Sequence, residues 1–116
     1  MMRRARVEEF VGRIERGEFL EVMPEFYAED CTAQENNDPP RVGLAAMIAN
    51  ERGALQRMKF KHIEAKSVVV EGDRAVIHYI FEMEIIGKGT QVRLEEIAWQ
   101  EWKNDKIVQE RYFYDP

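Results

Sequence analysis

Two glutamates have the residue type and the setting best suited to acid–base chemistry. Glu35 ends a segment that predicts a strand, and Glu110 alternates with Tyr112 and Tyr114 in the last β-rich segment. A carboxyl group surrounded by apolar side chains loses hydration, which raises its pKa and lets it take up and return a proton. Two such groups facing one cavity could divide the roles of acid and base. The alternative interpretation is that each lies at a strand end or pairs with an arginine and is simply solvated.

The other reactive residue types give no sign of a cofactor site. Cys31 is the only cysteine, which excludes an intrachain disulfide and a zinc or iron–sulfur site built from cysteines. His62 and His78 do not have the spacing of paired histidine ligands. The segment Gly87-Lys88-Gly89 is too short to cradle a phosphate and precedes no predicted helix. We therefore expect neither a metal nor a cofactor.

The composition predicts one globular domain over residues 1–116, with 45% hydrophobic and 34% charged residues. The net charge of -5 argues against a general nucleic-acid binder, which needs basic surface to displace counterions. No apolar run approaches the roughly 20 residues of a membrane span. The start, Met1-Met2-Arg3-Arg4, is followed by Glu8 and Glu9 instead of an apolar core, so no secretory signal is expected. These features predict a cytoplasmic protein.

Elements that would position the glutamates follow from hydrophobic spacing. Helices are predicted over 3–16, ending at Gly17, and over 43–58, with two short helical pieces in 18–27 limited by Pro24. The apolar residues that define the first helix are Val7, Phe10, Val11 and Ile14.

Strands are predicted mainly in the second half of the chain, joined by turns suited to hairpins. An early strand between helices, followed by a long meander, indicates an α+β fold. We expect a strongly curved antiparallel sheet with about three N-terminal helices packed on its concave face, which leaves a cone-shaped pocket. The predicted strands are 30–35, 60–70, 74–86, 90–103 and 106–114.

Three stretches carry a family resemblance that spans nearly the whole chain. Residues 26–35, which read FYAEDCTAQE, resemble the entry into the first strand of the nuclear transport factor two-like superfamily. Residues 39–43 (PPRVG) resemble its loop into the third helix, and residues 102–115 are similar to the last hairpin of SnoaL-like proteins. The resemblance implies a conical sheet, three helices and frequent dimers. The functions it implies range from isomerase, cyclase, dehydratase and epoxide hydrolase to non-catalytic binding.

Ketosteroid isomerase is the superfamily member with the best understood carboxyl chemistry. Its resemblance to this chain places the proton-shuttling acid at Glu35. The two positions of its oxyanion hole fall at Phe10 and Ala98, which carry no hydroxyl or acid. The sequence therefore predicts that this chain is not a ketosteroid isomerase.

Residue parity predicts the pocket walls, because side chains of a strand alternate between faces. The resemblance assigns the odd positions of segment 74–86 and the even positions of the last two segments, including Val108, to the concave side. Glu35, Glu96, Gln100 and Glu110 are its predicted polar contents. The predicted walls are Phe10, Tyr27, Tyr79, Phe81, Met83, Trp102, Tyr112 and Tyr114.

The opposite parity places Ile80, Ile97, Trp99 and Phe113 among charged residues on the outer face. Because helices can cover only one face of the sheet, this apolar set predicts a protein interface. We expect a two-fold homodimer formed sheet to sheet. Exposed apolar residues scattered on a monomer are the alternative.

The resulting hypothesis is a SnoaL-like protein with a pocket for a small apolar organic ligand. As an enzyme it would be a cofactor-free isomerase, cyclase or hydratase, with Glu35 as the first base and Glu110 as its partner. Gln100, Tyr112 and Tyr114 would orient the substrate. The alternative is a non-catalytic ligand-binding or dimerisation module of the same fold, which the apolar Phe10 and Ala98 favour.

Overall fold

The computed structural model describes residues 3–116. Met1 and Met2, part of the start from which no secretory signal is expected, lie outside the described residues. The elements in chain order are α1 (Arg4–Glu15), α2 (Val22–Phe26), β1 (Tyr27–Glu35), β2 (Arg41–Val42), α3 (Leu44–Arg57), β3 (Met58–Glu71), β4 (Arg74–Ile85), β5 (Gln91–Lys103) and β6 (Lys106–Tyr114).

The helices form where apolar spacing predicts them, with one difference in the second. α1 buries its four predicted apolar residues, and Gly17, at φ 80°, takes the left-handed conformation just beyond the helix end. Residues 18–27 hold one short helix instead of two pieces, and Pro24 sits in its first turn, where its missing N–H leaves no helical bond unmade. Tyr27 already belongs to β1, because it pairs with Ile107 of β6.

The described strands form one six-stranded sheet in the order β2-β1-β6-β5-β4-β3. The antiparallel meander from β3 to β6 confirms the prediction, whereas β1 pairs with β6 in parallel, so the sheet is mixed. β1 and β6 are far apart in the chain, and no hairpin turn fixes their relative direction. The short strand β2 pairs with β1 and has no counterpart in the sequence-based prediction.

The concave face of the sheet carries the hydrophobic core, and the helices cover it. The predicted parity is confirmed on β4, where all five odd-numbered residues from 75 to 83 are buried. It fails at the start of β6, where Ile107 is buried and Val108 is only partly so. A register shift between Glu101 and Trp102 brings Trp102 opposite Ile107, which reverses the alternation there.

The outer face is less apolar than predicted. Ile80 is buried, with 4% exposed, and therefore does not belong to an exposed patch. Trp99 and Phe113 are 38% and 40% exposed, and Ile97 lies partly buried opposite Phe113. Among residues 3–116, no helix is both long and apolar enough to cross a membrane.

Candidate functional site

A cavity of about 200 Å³ lies between the helices and the concave face of the sheet. Residues from α1, α2, α3 and the strands line it, and most of the lining is apolar or aromatic. Nine of the residues predicted for the pocket are brought together there: Phe10, Tyr27, Glu35, Tyr79, Phe81, Met83, Glu96, Glu110 and Tyr112.

Three predicted pocket residues stand behind the lining instead of in it. Gln100 is fully buried and bonds to Glu110, and Trp102 is buried beside Gln100. Tyr114 donates a hydrogen bond to Glu35 at 3.1 Å. Gln100 and Tyr114 therefore contact the two glutamates, while Trp102 reaches Glu110 through Gln100.

Glu110 is the most enclosed carboxyl group of the cavity, with 2% of the residue exposed. The hydroxyls of Tyr27 and Tyr112 both donate to its Oε1, the latter at 2.5 Å, and Gln100 Nε2 donates to its Oε2 at 2.6 Å. Tyr112 lies on the strand of Glu110, β6, and the other two donors lie on its two neighbours in the sheet, β1 and β5, so strand pairing brings all three to Glu110. Burial raises the pKa of Glu110, and the three hydrogen bonds oppose that rise because they favour the charged form.

Trp102 fixes the orientation of the Gln100 amide. Trp102 Nε1 donates to Gln100 Oε1 at 2.9 Å, which leaves the amide N–H group to face Glu110. The Trp102 ring packs edge-to-face against Phe10, with centroids 6.1 Å apart. Gln100 on the concave face is thus a buried residue whose amide N–H and C=O groups are both hydrogen-bonded.

Glu35 has a different environment from the apolar one expected of it. Its Oε2 accepts a hydrogen bond from Arg41 Nη1 at 2.8 Å in an ion pair, and its side chain is 35% exposed. The sequence analysis weighed such a pairing as the alternative to a desolvated base. β2 holds Arg41 against β1 and so places the guanidinium beside the end of that strand.

Glu96 lines the same cavity, as its parity predicts, although no chemical role was expected for it. Its Cα pairs with those of Tyr79 and Tyr114, and no side chain among residues 3–116 donates a hydrogen bond to it. Burial, followed by the negative charges of Glu110, Glu35 and Glu51, raises the pKa of Glu96 to about 8. The signal in the sequence was its even parity with Ala98 and Gln100.

Glu51 is a lining residue that the sequence analysis did not single out. It belongs to α3, and burial raises the pKa of its carboxyl group. Its position, four residues after Met47 and three after Ile48, places it on the apolar stripe of that helix. That spacing could have identified it.

Tyr79 carries a hydroxyl group without a hydrogen-bond partner among the described residues. The residue is 3% exposed and lines the cavity. Buried hydroxyls are almost always bonded, so this one is unusual. Within residues 3–116, no three His, Cys, Asp or Glu side chains are grouped so that they could hold a metal ion.

Comparisons with solved structures show which proteins share this architecture. A candidate SnoaL-like polyketide cyclase from Mesorhizobium loti superposes with a TM-score of 0.88 at 19% identity, covering 98% of this chain and 100% of that one. An LEH-like epoxide hydrolase from M. tuberculosis gives 0.77 at 14% identity, with 96% and 80% covered. A protein of ketosteroid isomerase-like fold from Catenulispora acidiphila, solved in complex with trimethylamine, gives 0.80 at 13% identity, with 98% and 88% covered.

Identities this low establish a shared fold and not a shared reaction. No curated protein matches the sequence. A family model described as the SnoaL-like domain, in contrast, matches residues 7–110, which include every lining residue described above except Tyr112. This chain therefore belongs to the SnoaL-like domain family.

Proposed function

We propose that this protein binds a small, largely apolar organic molecule in the cavity and acts on it by cofactor-free proton transfer, with Glu110 as the proton acceptor. The observation that carries the proposal is the enclosure of Glu110 by three donors at the wall of the cavity. A carboxylate has about four lone-pair positions, and three are taken. The fourth is free to accept a proton from a bound molecule.

The size of the cavity sets the size of the ligand. An apolar cavity of about 150 Å³ accommodates benzene. The cavity here, of about 200 Å³, suits a molecule of one substituted ring or two small fused rings. Its aromatic and aliphatic walls favour an apolar body.

The donors fix the position of the Glu110 carboxylate before a ligand arrives, which is the condition for efficient proton transfer. Isomerisation, cyclisation and hydration can each begin with such a transfer. Glu35 as the first base stays a prediction. Its ion pair with Arg41 favours the ionised form of Glu35. This supports an electrostatic role at the cavity wall more than a role in proton transfer.

The test is the exchange of acidic C–H protons of 2-indanone, a small fused-ring ketone, in deuterated buffer followed by NMR. Glu110→Gln should slow protein-catalysed exchange by about 100-fold or more, because the amide cannot accept the proton. Glu95→Gln is the control, since Glu95 lies on the outer face and bonds to His78. Equal rates for the wild type and folded Glu110→Gln would contradict Glu110 as acceptor.

A second candidate function is ligand binding without catalysis. It is favoured by Phe10 and Ala98, two buried apolar residues at the positions where the resemblance to ketosteroid isomerase places the oxyanion hole. No exchange by the wild type with 2-indanone or with a panel of cyclic enones and aryl epoxides, together with measurable binding of these molecules, would support this function.

We also propose a homodimer that uses the outer sheet face, with Trp99 and Phe113 at its centre. Both rings are exposed, and each is stacked by an arginine, Arg74 over Trp99 at 5.0 Å and Arg111 over Phe113 at 4.7 Å. Aromatic and arginine side chains are enriched at protein interfaces. A single domain over 1–116 and a cytoplasmic location stay part of the proposal, the latter supported by the free, buried cysteine.

Trp99→Asp should convert this dimer into monomers, because it removes the central aromatic ring and introduces a carboxylate that would lose its hydration at the interface centre. Analytical ultracentrifugation should show the mass falling from twice to once the 13.7 kDa of the chain. Ile86→Asp serves as the control, since Ile86 is 51% exposed but lies beyond the end of β4. A wild-type monomer, or an unchanged dimer in Trp99→Asp, would remove the proposed interface.

A further inference from the structure

The cavity carries more acidic than basic groups. Four carboxyl groups line it, those of Glu35, Glu51, Glu96 and Glu110, against the single guanidinium of Arg41. Arg41 is already paired with Glu35 at 2.8 Å. The enclosed space therefore repels an anionic ligand and attracts a cationic one.

Glu96 and Glu51 both lack an ion pair and a hydrogen-bond donor among the described residues. The positive charge of Arg41 opposes the rise in the pKa of Glu51 but is not among the causes that act on Glu96. The charged groups that act on Glu96 come from three other elements: Glu110 on β6, Glu35 on β1 and Glu51 on α3. Arg41 on β2 lines the same cavity, where it is paired with Glu35. Near neutral pH these surroundings keep Glu96 protonated. A cation placed against it would favour the charged form instead.

An aromatic wall continues from Glu96 along the cavity and consists of Phe19, Phe60, Tyr79 and Phe81. The ring centroids of neighbouring members are 4.5 Å apart for Phe19 and Phe60, 5.7 Å for Phe60 and Phe81, and 5.1 Å for Tyr79 and Phe81. The faces of aromatic rings carry partial negative charge and attract an organic cation within about 6 Å of a ring centroid. This wall offers such faces beside a carboxyl group.

The unpartnered Tyr79 hydroxyl is an independent indication of a polar ligand. Tyr79 and Glu96 are Cα partners in the β4–β5 pairing, so the hydroxyl and the carboxyl group belong to the same row of the concave face. An N–H of a ligand can donate to the hydroxyl oxygen, and the hydroxyl can then donate to an ionised Glu96. A single ligand group would satisfy both side chains.

We propose that the ligand carries a basic nitrogen and that its ammonium group lies between Glu96, the Tyr79 hydroxyl and the aromatic wall. This inference rests on the proposed function and deepens it, because it names the class of molecule that the same cavity takes. The ammonium keeps its charge on binding. The proton that leaves is the one on the Glu96 carboxyl group, which passes to the buffer, so one proton is released for each ligand bound.

The experiment uses three probes of nearly equal size and different charge: benzylammonium, benzyl alcohol and benzoate. Isothermal titration calorimetry at pH 7, in two buffers of different ionisation enthalpy, measures both affinity and proton release. We expect benzylammonium to bind about tenfold or more tightly than benzyl alcohol, and benzoate to bind more weakly than either. Release should approach one proton for benzylammonium and be absent for benzyl alcohol.

Glu96→Gln should abolish the proton release and bring the affinities of benzylammonium and benzyl alcohol to within a few fold. Glu95→Gln, on the outer face of the same strand, should change neither. A measurement on the wild type guards against a misfolded variant. Its affinity for benzylammonium should rise between pH 6 and pH 8 as Glu96 loses its proton, by up to about tenfold per pH unit, while that for benzyl alcohol stays constant.

The proposal is overturned if benzylammonium binds no more tightly than benzyl alcohol, or if it binds without proton release and without this pH dependence. This outcome is distinct from failure of the proposed function, which is read from exchange of 2-indanone by the wild type and Glu110→Gln. Benzylammonium preference without any exchange leaves an amine-binding module. Exchange that depends on Glu110, without benzylammonium preference, leaves an enzyme for another ligand class.

Discussion

Replacing both tyrosines that bond Glu110, as Tyr27→Phe with Tyr112→Phe, should lower the free energy of unfolding by about 4 kcal/mol at pH 8. Each hydroxyl donates to the same carboxylate oxygen in a buried site. A hydrogen bond to a charged group contributes roughly 1.5–3 kcal/mol, and a buried carboxylate that loses its donors is poorly compensated. Phenylalanine keeps the ring volume, so no cavity contributes to the loss.

The loss should depend on pH in a defined direction. Burial raises the pKa of Glu110 in the folded protein above its pKa in the unfolded chain. Proton binding by Glu110 therefore contributes fully to stability below the pKa of the unfolded chain, and this contribution is lost as pH rises through the pKa of the folded protein. The tyrosine bonds oppose that rise, so removing them moves the folded pKa further upward. At pH 5 more of the carboxyl group is neutral, and the double variant should lose only about 2 kcal/mol there.

Urea unfolding at pH 5 and pH 8, followed by tryptophan fluorescence, measures both values. Tyr114→Phe is the matched control, because its hydroxyl bonds to the partly exposed Glu35 and its removal should cost less than about 1 kcal/mol. Losses of equal size at the two pH values would show that the hydroxyls do not hold a charged carboxylate.

The position of Glu110 on the concave face could be predicted from the sequence, but the strand register around it could not. Alternation along β4 and β5 placed Tyr79 and Gln100 on the concave face, because every second side chain of a strand points to the same face of the sheet. That Ile107 is buried in place of Val108 depends on a register shift between β5 and β6, which no local pattern of residues reveals. Such irregularities arise where two strands meet, and one strand alone does not encode them.

Long-range pairing explains the other differences. The parallel pairing of β1 with β6 joins segments that no turn connects, so their direction follows from the packing of the whole fold. The ion pair of Glu35 depends on β2, a strand of two residues that is too short to leave an alternating pattern. Ile80 was assigned correctly to the outer face by parity, but parity does not tell how far neighbouring side chains cover it.

Glu96 shows how a residue with the right parity can be undervalued. The sequence placed it on the concave face with Glu35, Gln100 and Glu110. Its chemistry, however, depends on the absence, within residues 3–116, of a hydrogen-bond donor beside its carboxyl group. Glu35 receives a guanidinium and Glu110 receives three donors, whereas no donor approaches Glu96 among the described residues. A missing partner is a property of the folded arrangement and has no signature in residue types.

Glu96→Gln should make the protein more stable than the wild type at alkaline pH, by about 3 kcal/mol at pH 8.5. The folded pKa of about 8 lies above the ordinary glutamate pKa of 4.5, so folding is coupled to the binding of a proton between these two pH values. Stability of the wild type is therefore fully present near pH 4.5 and declines as pH rises toward 8, by about 1.4 kcal/mol per pH unit for one group. The full window corresponds to about 5 kcal/mol, reduced here to about 3 kcal/mol because the carboxyl group is only partly buried.

Glutamine has nearly the same shape and no charge, so it removes this decline and leaves the contributions of Glu51 and Glu110. Unfolding curves in urea at half-unit steps from pH 5 to pH 8.5 should give nearly equal stabilities at pH 5 and a gap that widens toward pH 8.5. Glu95→Gln should follow the wild type throughout, because Glu95 lies on the outer face beside His78. Parallel curves for the wild type and Glu96→Gln would mean that Glu96 ionises in the folded protein as freely as in the unfolded chain, and they would also remove the proton whose release marks amine binding.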